Sequence, residues 1–166
     1  MNNLEFLKSR RSIRSFADKK IPPADLEKLI DAARFAPTAR NLQPWEFVVV
    51  TNKHKLTEFA ALAENGRFMD QAAACIAVFC ADTKYYLEDG CAATCSILLA
   101  AIALGIGSCW IAGDKKPYSG QVNVLLNVPL EIKLVSLIAL GYPANKDVFK
   151  ITEKKSVNEL LHWEKF

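Results

Sequence analysis

Arg10, Arg11, Ser12, Ile13 and Arg14 form a cationic run near the start of the chain. Pro37, Thr38, Ala39, Arg40, Asn41, Leu42, Gln43, Pro44 and Trp45 form a polar stretch bounded by prolines. Residues four apart share a side in a helix and in an extended segment alike, so Arg10 and Arg14 converge in either conformation. Two guanidiniums with the Ser12 hydroxyl between them can hold a phosphate by charge-assisted, partly bidentate hydrogen bonds. Read alone, the run also fits a solvated charge cluster.

The second stretch is longer than a helix-to-strand connection requires. Thr38, Asn41 and Gln43 offer donors and acceptors, while Pro37 and Pro44 restrict the backbone and so reduce the entropy lost on binding. Read alone, it also fits a rigid structural turn. Taken together, the two segments read as a flavin site, with an anion grip and a set of amides and hydroxyls for the polar edge of a ring.

Other chemistries find little support. Gly105, Ile106 and Gly107 match part of a dinucleotide fingerprint, but Trp110 stands at the third glycine position and the segment leaves a helix to enter a strand, which is the wrong context. No glycine-rich loop ends in Gly-Lys-Ser or Gly-Lys-Thr, so nucleotide triphosphatase chemistry is unsupported. The histidines, His54 and His162, stand far apart, and the cysteine spacing suits neither a metal nor a triad, so no metal site is expected. Asp82, Glu88 and Asp89 read as acids at the start of a helix, where the dipole favours them.

The 166 residues suffice for one domain that buries roughly two-thirds of its unfolded surface. A composition 51% hydrophobic and 23% charged is that of a globular protein. A net charge of +3, spread along the chain, argues against nucleic-acid binding. The N-terminus shows no signal-peptide pattern, and Cys75, Cys80, Cys91, Cys95 and Cys109 lie in apolar surroundings, so buried reduced thiols and a cytoplasmic location are expected. The stretch between Gly90 and Gly113 carries no charge, but two glycines interrupt it and no basic flank marks it, so a buried helix followed by a buried strand is favoured over a membrane span.

The periodicities predict a short helix around Leu4 to Lys8, a helix bearing Leu26, Leu29, Ile30 and Ala33, and a strand from Glu46 to Val50. Asn52 then caps a helix that stops near Gly66. A strand from Ala74 to Cys80 leads to a long helix, Leu87 to Leu104, apolar on nearly all sides and so placed at the centre of the fold or in a subunit interface. Ser108 to Ile111 is a strand, Pro117 to Leu126 a helix, and Lys133 to Leu140 a strand. Ser156 and Glu159 match a capping box for a final short helix, after a polar stretch that is poorly suited to packing on its own chain.

The order Arg-Arg-Ser-Ile-Arg-Ser-Phe, Ala-Pro-Thr-Ala-Arg-Asn-Leu-Gln-Pro-Trp, Gly-Ile-Gly-Ser-Cys-Trp-Ile-Ala-Gly and Ile-Ala-Leu-Gly-Tyr-Pro resembles the nitroreductase family of flavoproteins over almost the whole chain. The resemblance implies an α+β fold with a mainly antiparallel sheet between helices, a single domain over 1–166, and an obligate homodimer holding two FMN molecules at its interface. By motif position, Arg10, Arg11, Ser12 and Arg14 of one subunit meet the phosphate and ring edge, with Pro37, Thr38, Ala39, Asn41 and Gln43 contributed by the other. Trp110, Ile111, Ala112 and Gly113 take the place where backbone amides meet the ring. In the tail, 144–166, which reaches over the partner subunit, Lys154 fits one of the family's two basic positions and Thr152 stands at the other.

The implied activity passes hydride from NADH or NADPH through FMN to a small-molecule acceptor, nitroaromatic or quinone, in a ping-pong cycle that needs no catalytic side chain. Alternatives are a carrier or sensor that binds FMN without turnover, and a flavin-dependent dehydrogenase or dehalogenase. The segment between the Gly66 region and Ala74 is shorter than in larger relatives, which implies loose substrate selection, with Phe68 and the Lys115 to Tyr118 turn as candidate rim residues.

Overall fold

The computed structural model describes residues 2–145 and 153–166. Four strands, β1 (Trp45–Val50), β2 (Ala74–Cys80), β3 (Gly107–Ala112) and β4 (Lys133–Gly141), form one sheet in the order β1-β2-β4-β3, with every pairing antiparallel. Among the described residues five α-helices accompany it: α1 (Asn3–Lys8), α2 (Pro23–Ala33), α3 (Lys53–Leu62), α4 (Tyr86–Ala103) and α5 (Ser119–Leu126). The α+β expectation holds.

Two core layers follow from the period-2 alternation of the strands. Ala74, Ile76, Val78, Ile138 and Leu140 face Leu26 and Leu29 of α2 and Ala93, Ile97 and Ala101 of α4. Cys75, Ala77, Phe79, Leu137 and Ala139 face Leu56, Phe59 and Ala60 of α3, Met69 of a 3-10 segment (Glu64–Gln71), and Val122 of α5. A register shift between Val78 and Phe79 pairs them with Ser136 and Leu134 and leaves Val135 unopposed. This bulge turns both Val135 and Ser136 toward α4. Helix α4 approaches closely here because residue 90 is glycine: a Cβ there would lie 2.6 Å from a Val135 methyl.

Most expected boundaries fall within a residue of those observed. Asn52 does cap α3, accepting from the Lys55 N–H at 3.1 Å. Three elements differ. Helix α3 ends at Leu62, short of Gly66, where the 3-10 segment Glu64–Gln71 takes over. Helix α5 begins at Ser119, not Pro117, because the Ser119 hydroxyl bonds the carbonyls of Gly113 and Lys116 and so ends the preceding turn there. The final helix is a single 3-10 turn, Val157–Glu159, although its capping box is present.

Helix α4 is only partly enclosed within one chain. It is long and apolar enough to cross a membrane by composition, but one stripe is buried against the sheet while Cys95 and Ala103 are exposed and Ala92, Leu99 and Ile102 are half-buried. Within one chain it is therefore a two-faced helix with an open apolar side. The cysteines divide accordingly: Cys75, Cys80 and Cys109 are buried free thiols, Cys91 is half-buried and Cys95 exposed. In the tail, Val157, Leu160, Leu161, Trp163 and Phe166 are all exposed.

Candidate functional site

The cationic run is extended. Ser12 bridges Ser108 of β3 in parallel, and the Ile13 N–H donates to the Ser108 carbonyl at 2.9 Å. The chain then crosses to the end of β4, where Ala17 donates to the Tyr142 carbonyl and Ala144 to that of Ser15. Buried Ile13 and Phe16 pin this path from below. The arginines are thus carried along the outer edge of β3.

Arg10 and Arg14 reach the same place. Arg10 Nη1 donates to the Ser12 hydroxyl at 3.5 Å, and Arg14 Nη1 to the Ser12 carbonyl at 3.3 Å. Burial pushes the neighbouring Cys109 thiol up, while the charge of Arg14, a hydrogen bond with Ser12 and the charge of Arg10 act in the opposite direction. Neither arginine has a carboxylate partner among the described residues. Arg14 also lies over the Phe68 ring, 5.9 Å from its centroid. Arg11 points elsewhere: its Nη1 donates to the carbonyls of Lys8 and Arg10 at 2.8 and 2.7 Å, closing the C-terminal end of α1.

The edge of β3 beyond Ser108 stays open. Alternation in the β3–β4 ladder turns the backbone groups of Ser108, Trp110 and Ala112 outward, as the bond from Ile13 shows. The Tyr118 hydroxyl closes the far end on the Ala112 carbonyl, leaving Trp110 in the gap. The Trp110 side chain packs against the α2/α4 core, Ile111 is buried on the opposite face, and Gly113 donates to the Val135 carbonyl at 3.0 Å. Only main-chain groups are therefore offered along the gap.

The loop from Pro37 to Trp45 is held by a residue the sequence reading assigned to a helix start. Asp89, 4% exposed, accepts from the Thr38 hydroxyl at 2.9 Å and from the Ala39 N–H at 3.1 Å. The same hydroxyl accepts from the Gln43 N–H at 3.1 Å, so Thr38 serves the loop's own shape. Arg40, Asn41 and Gln43 have φ of 54°, 56° and 49°, a left-handed conformation rare outside glycine. Asn41 and Gln43 are exposed and bonded to each other at 3.1 Å, and Pro37 is exposed. No contiguous pattern marks Asp89, because its partner lies 51 positions away.

One turn earlier on α4, the Tyr86 hydroxyl donates to Asp114 at 2.7 Å. That bond, with burial and the surrounding acids, pushes the Tyr86 phenol up to about 12. No hydrogen bond or ion pair among the described residues joins the arginine segment to the Pro37 loop, so the two half-sites are separate within one chain. Lys154 is exposed, and Thr152 lies outside the described residues. His54 sits 3.6 Å from Glu58 on the surface and His162 stacks on Phe166, and no metal-binding cluster occurs among the described residues. A cleft of about 730 Å³ between α3 and α5 has Pro117 of the candidate rim turn in its lining, and one of about 590 Å³ beside α2 and β1 has no candidate residue.

Comparison with known proteins bears on this arrangement. A family model described as "Nitroreductase family" matches residues 7–74, and one described as "Putative TM nitroreductase" matches residues 53–166. A "Putative NADH dehydrogenase/NAD(P)H nitroreductase" of Archaeoglobus fulgidus is 36% identical, covering 98% of each chain. The solved FMN-dependent nitroreductase of Clostridium difficile superposes with a TM-score of 0.88 at 29% identity, covering 98% of this chain and 99% of that one. A "putative nitroreductase in complex with fmn" from Desulfovibrio desulfuricans gives 0.85 at 26% identity, covering 100% and 99%.

Proposed function

We propose that this chain, which belongs to the nitroreductase family, is an FMN-dependent NAD(P)H oxidoreductase whose two half-sites meet across a homodimer. The observation that carries the reading is the unpaired Arg10 and Arg14 beside Ser12, directly next to the open backbone gap at Trp110.

The donor set fits the cofactor. Two cations without a counter-ion and one hydroxyl match a phosphate, and a strand edge of main-chain groups matches a flat ring with a polar rim. When bound, FMN would supply the hydride chemistry, taking it from NADH or NADPH and passing it to an acceptor such as a nitroaromatic or quinone. Arg10 and Arg14 bind the anion and orient it against the Ser12 hydroxyl. Trp110 and the Ala112 N–H present the strand edge to the ring without a side chain in the way, while Ile111 and Gly113 turn their main-chain groups to β4 and hold that edge in place. Arg11 acts indirectly, by fixing the end of α1 from which Arg10 projects.

From the second subunit, Pro37, Thr38, Ala39, Asn41 and Gln43 would close over the ring, with the exposed Asn41 and Gln43 offering the amide groups that their mutual bond leaves over. The separation of the half-sites within one chain, the open face of α4 and the exposed apolar tail support this two-chain site. Residues 144–166 would reach over the partner and bring Lys154 to the phosphate. Rim selection would fall to Phe68 and the turn ending at Tyr118.

An anaerobic visible spectrum of the purified protein, before and after NADH or NADPH, tests the reading. Flavin bands that bleach are expected. Bands that persist with both donors would favour a carrier, and no bands even with added FMN would overturn the assignment.

A further inference from the structure

We propose that Asp89 is a positioning residue for the ring side of the site, holding the Pro37 to Trp45 loop in the shape that meets the cofactor. The inference rests on the flavin reading above and adds a residue that none of the sequence motifs contains.

Asp89 stands in the first turns of α4, where an acid ordinarily faces its own helix's free N–H groups. Here the carboxylate turns away, and its two oxygens are divided between the Thr38 hydroxyl and the Ala39 N–H. A carboxylate with 4% exposure and no cationic partner among the described residues is costly to bury, and the hydrogen bonds it makes are all to this loop. The loop in turn contains three non-glycine residues at positive φ, a state that persists only when the surroundings over-determine it. Thr38 passes the restraint on to Gln43, whose amide bonds Asn41. One buried carboxylate thus fixes the geometry of both amides, while the phosphate grip at Arg10 and Arg14 is built on another part of the fold.

This division predicts different ligand profiles. Riboflavin carries the same ring as FMN without the phosphate, so loss of ring-side order weakens both ligands by the same factor. Loss of an arginine weakens FMN alone. Equilibrium titration of the full-length protein, freed of flavin, with FMN and with riboflavin makes the comparison. Asp89→Ala is expected to raise both Kd values by a common factor of about tenfold to a hundredfold, the range for a lost charged hydrogen bond. It is also expected to shift the visible absorption bands of bound FMN. Thr38→Val should act in the same direction and add little to Asp89→Ala. Asp89→Asn, which keeps one of the two acceptor oxygens, should fall between the native protein and Asp89→Ala.

Wild-type affinity and spectrum in Asp89→Ala would overturn the assignment while leaving the flavin reading intact, as would a loss confined to FMN. A wild-type protein that binds neither ligand would instead remove the flavin reading and this assignment with it.

Discussion

The hydroxyls of Thr94 and Ser136 meet 2.8 Å apart between α4 and β4, with both side chains fully buried. Thr94 also donates to the Gly90 carbonyl at 2.8 Å, which commits its single proton and makes Ser136 the donor of the pair. The bulge at Val135 is what turns Ser136 toward the helix. Removing one partner leaves the other buried without its bond, so Ser136→Ala is expected to cost about 1–2 kcal/mol. Thr94→Val/Ser136→Ala should cost less than the sum of the single changes, as measured by urea unfolding at fixed protein concentration.

The arginines separate by role. Arg10→Ala and Arg14→Ala should each weaken FMN by about 1.5 to 3 kcal/mol, with a smaller dependence on salt than the native protein. Arg11→Ala should change FMN affinity much less, because its guanidinium is spent on the Lys8 and Arg10 carbonyls. Fluorescence titration distinguishes them, and unchanged FMN retention in both Arg10 and Arg14 variants would remove the phosphate assignment.

The open side of α4 is the proposed subunit contact. Leu99→Arg puts a charge in the middle of that side and is expected to yield a species of about 18.4 kDa in analytical ultracentrifugation, with flavin lost on purification. A monomer that retains stoichiometric FMN would show that one chain suffices for the site.

Alkaline pH should destabilise the fold through its inner thiols. Burial pushes Cys75 up to about 12, and burial together with the Asp89 charge and Cys91 does the same to Cys80. Both folded values lie above the ordinary thiol value, so the stabilisation is complete below that value and is lost as pH rises toward 12. Between about pH 9 and 12 the unfolded chain has released protons the folded one still holds, giving a fall of about 1.4 kcal/mol per pH unit for each thiol. Denaturant midpoints across that window should drop, and Cys75→Ala should flatten the slope.

Much of the fold was legible because its determinants are local. The Leu26, Leu29 and Ala33 spacing, the Asn52 cap and the short β-branched runs act within a few residues, and the observed elements follow them. The convergence of Arg10 and Arg14 was also legible, since it holds in either backbone conformation. Arg11, in the same run, was not separable from its neighbours: only the placement of α1 decides that it turns to the Lys8 carbonyl. Asp89 read as a helix-start acid because helix starts favour acids, and its bond to Thr38 depends on how α4 packs beside the loop.

By itself the sequence determined most of the helices and strands, the antiparallel α+β class and the family, all of which rest on short-range patterns and motif order. Tertiary structure alone decided that one face of α4 stays open, that the strand edge at Trp110 is free beside the arginines, and that a buried carboxylate shapes the loop. Those outcomes depend on which surfaces meet once the sheet is formed, and contacts between residues 51 positions apart leave no periodic trace in a chain.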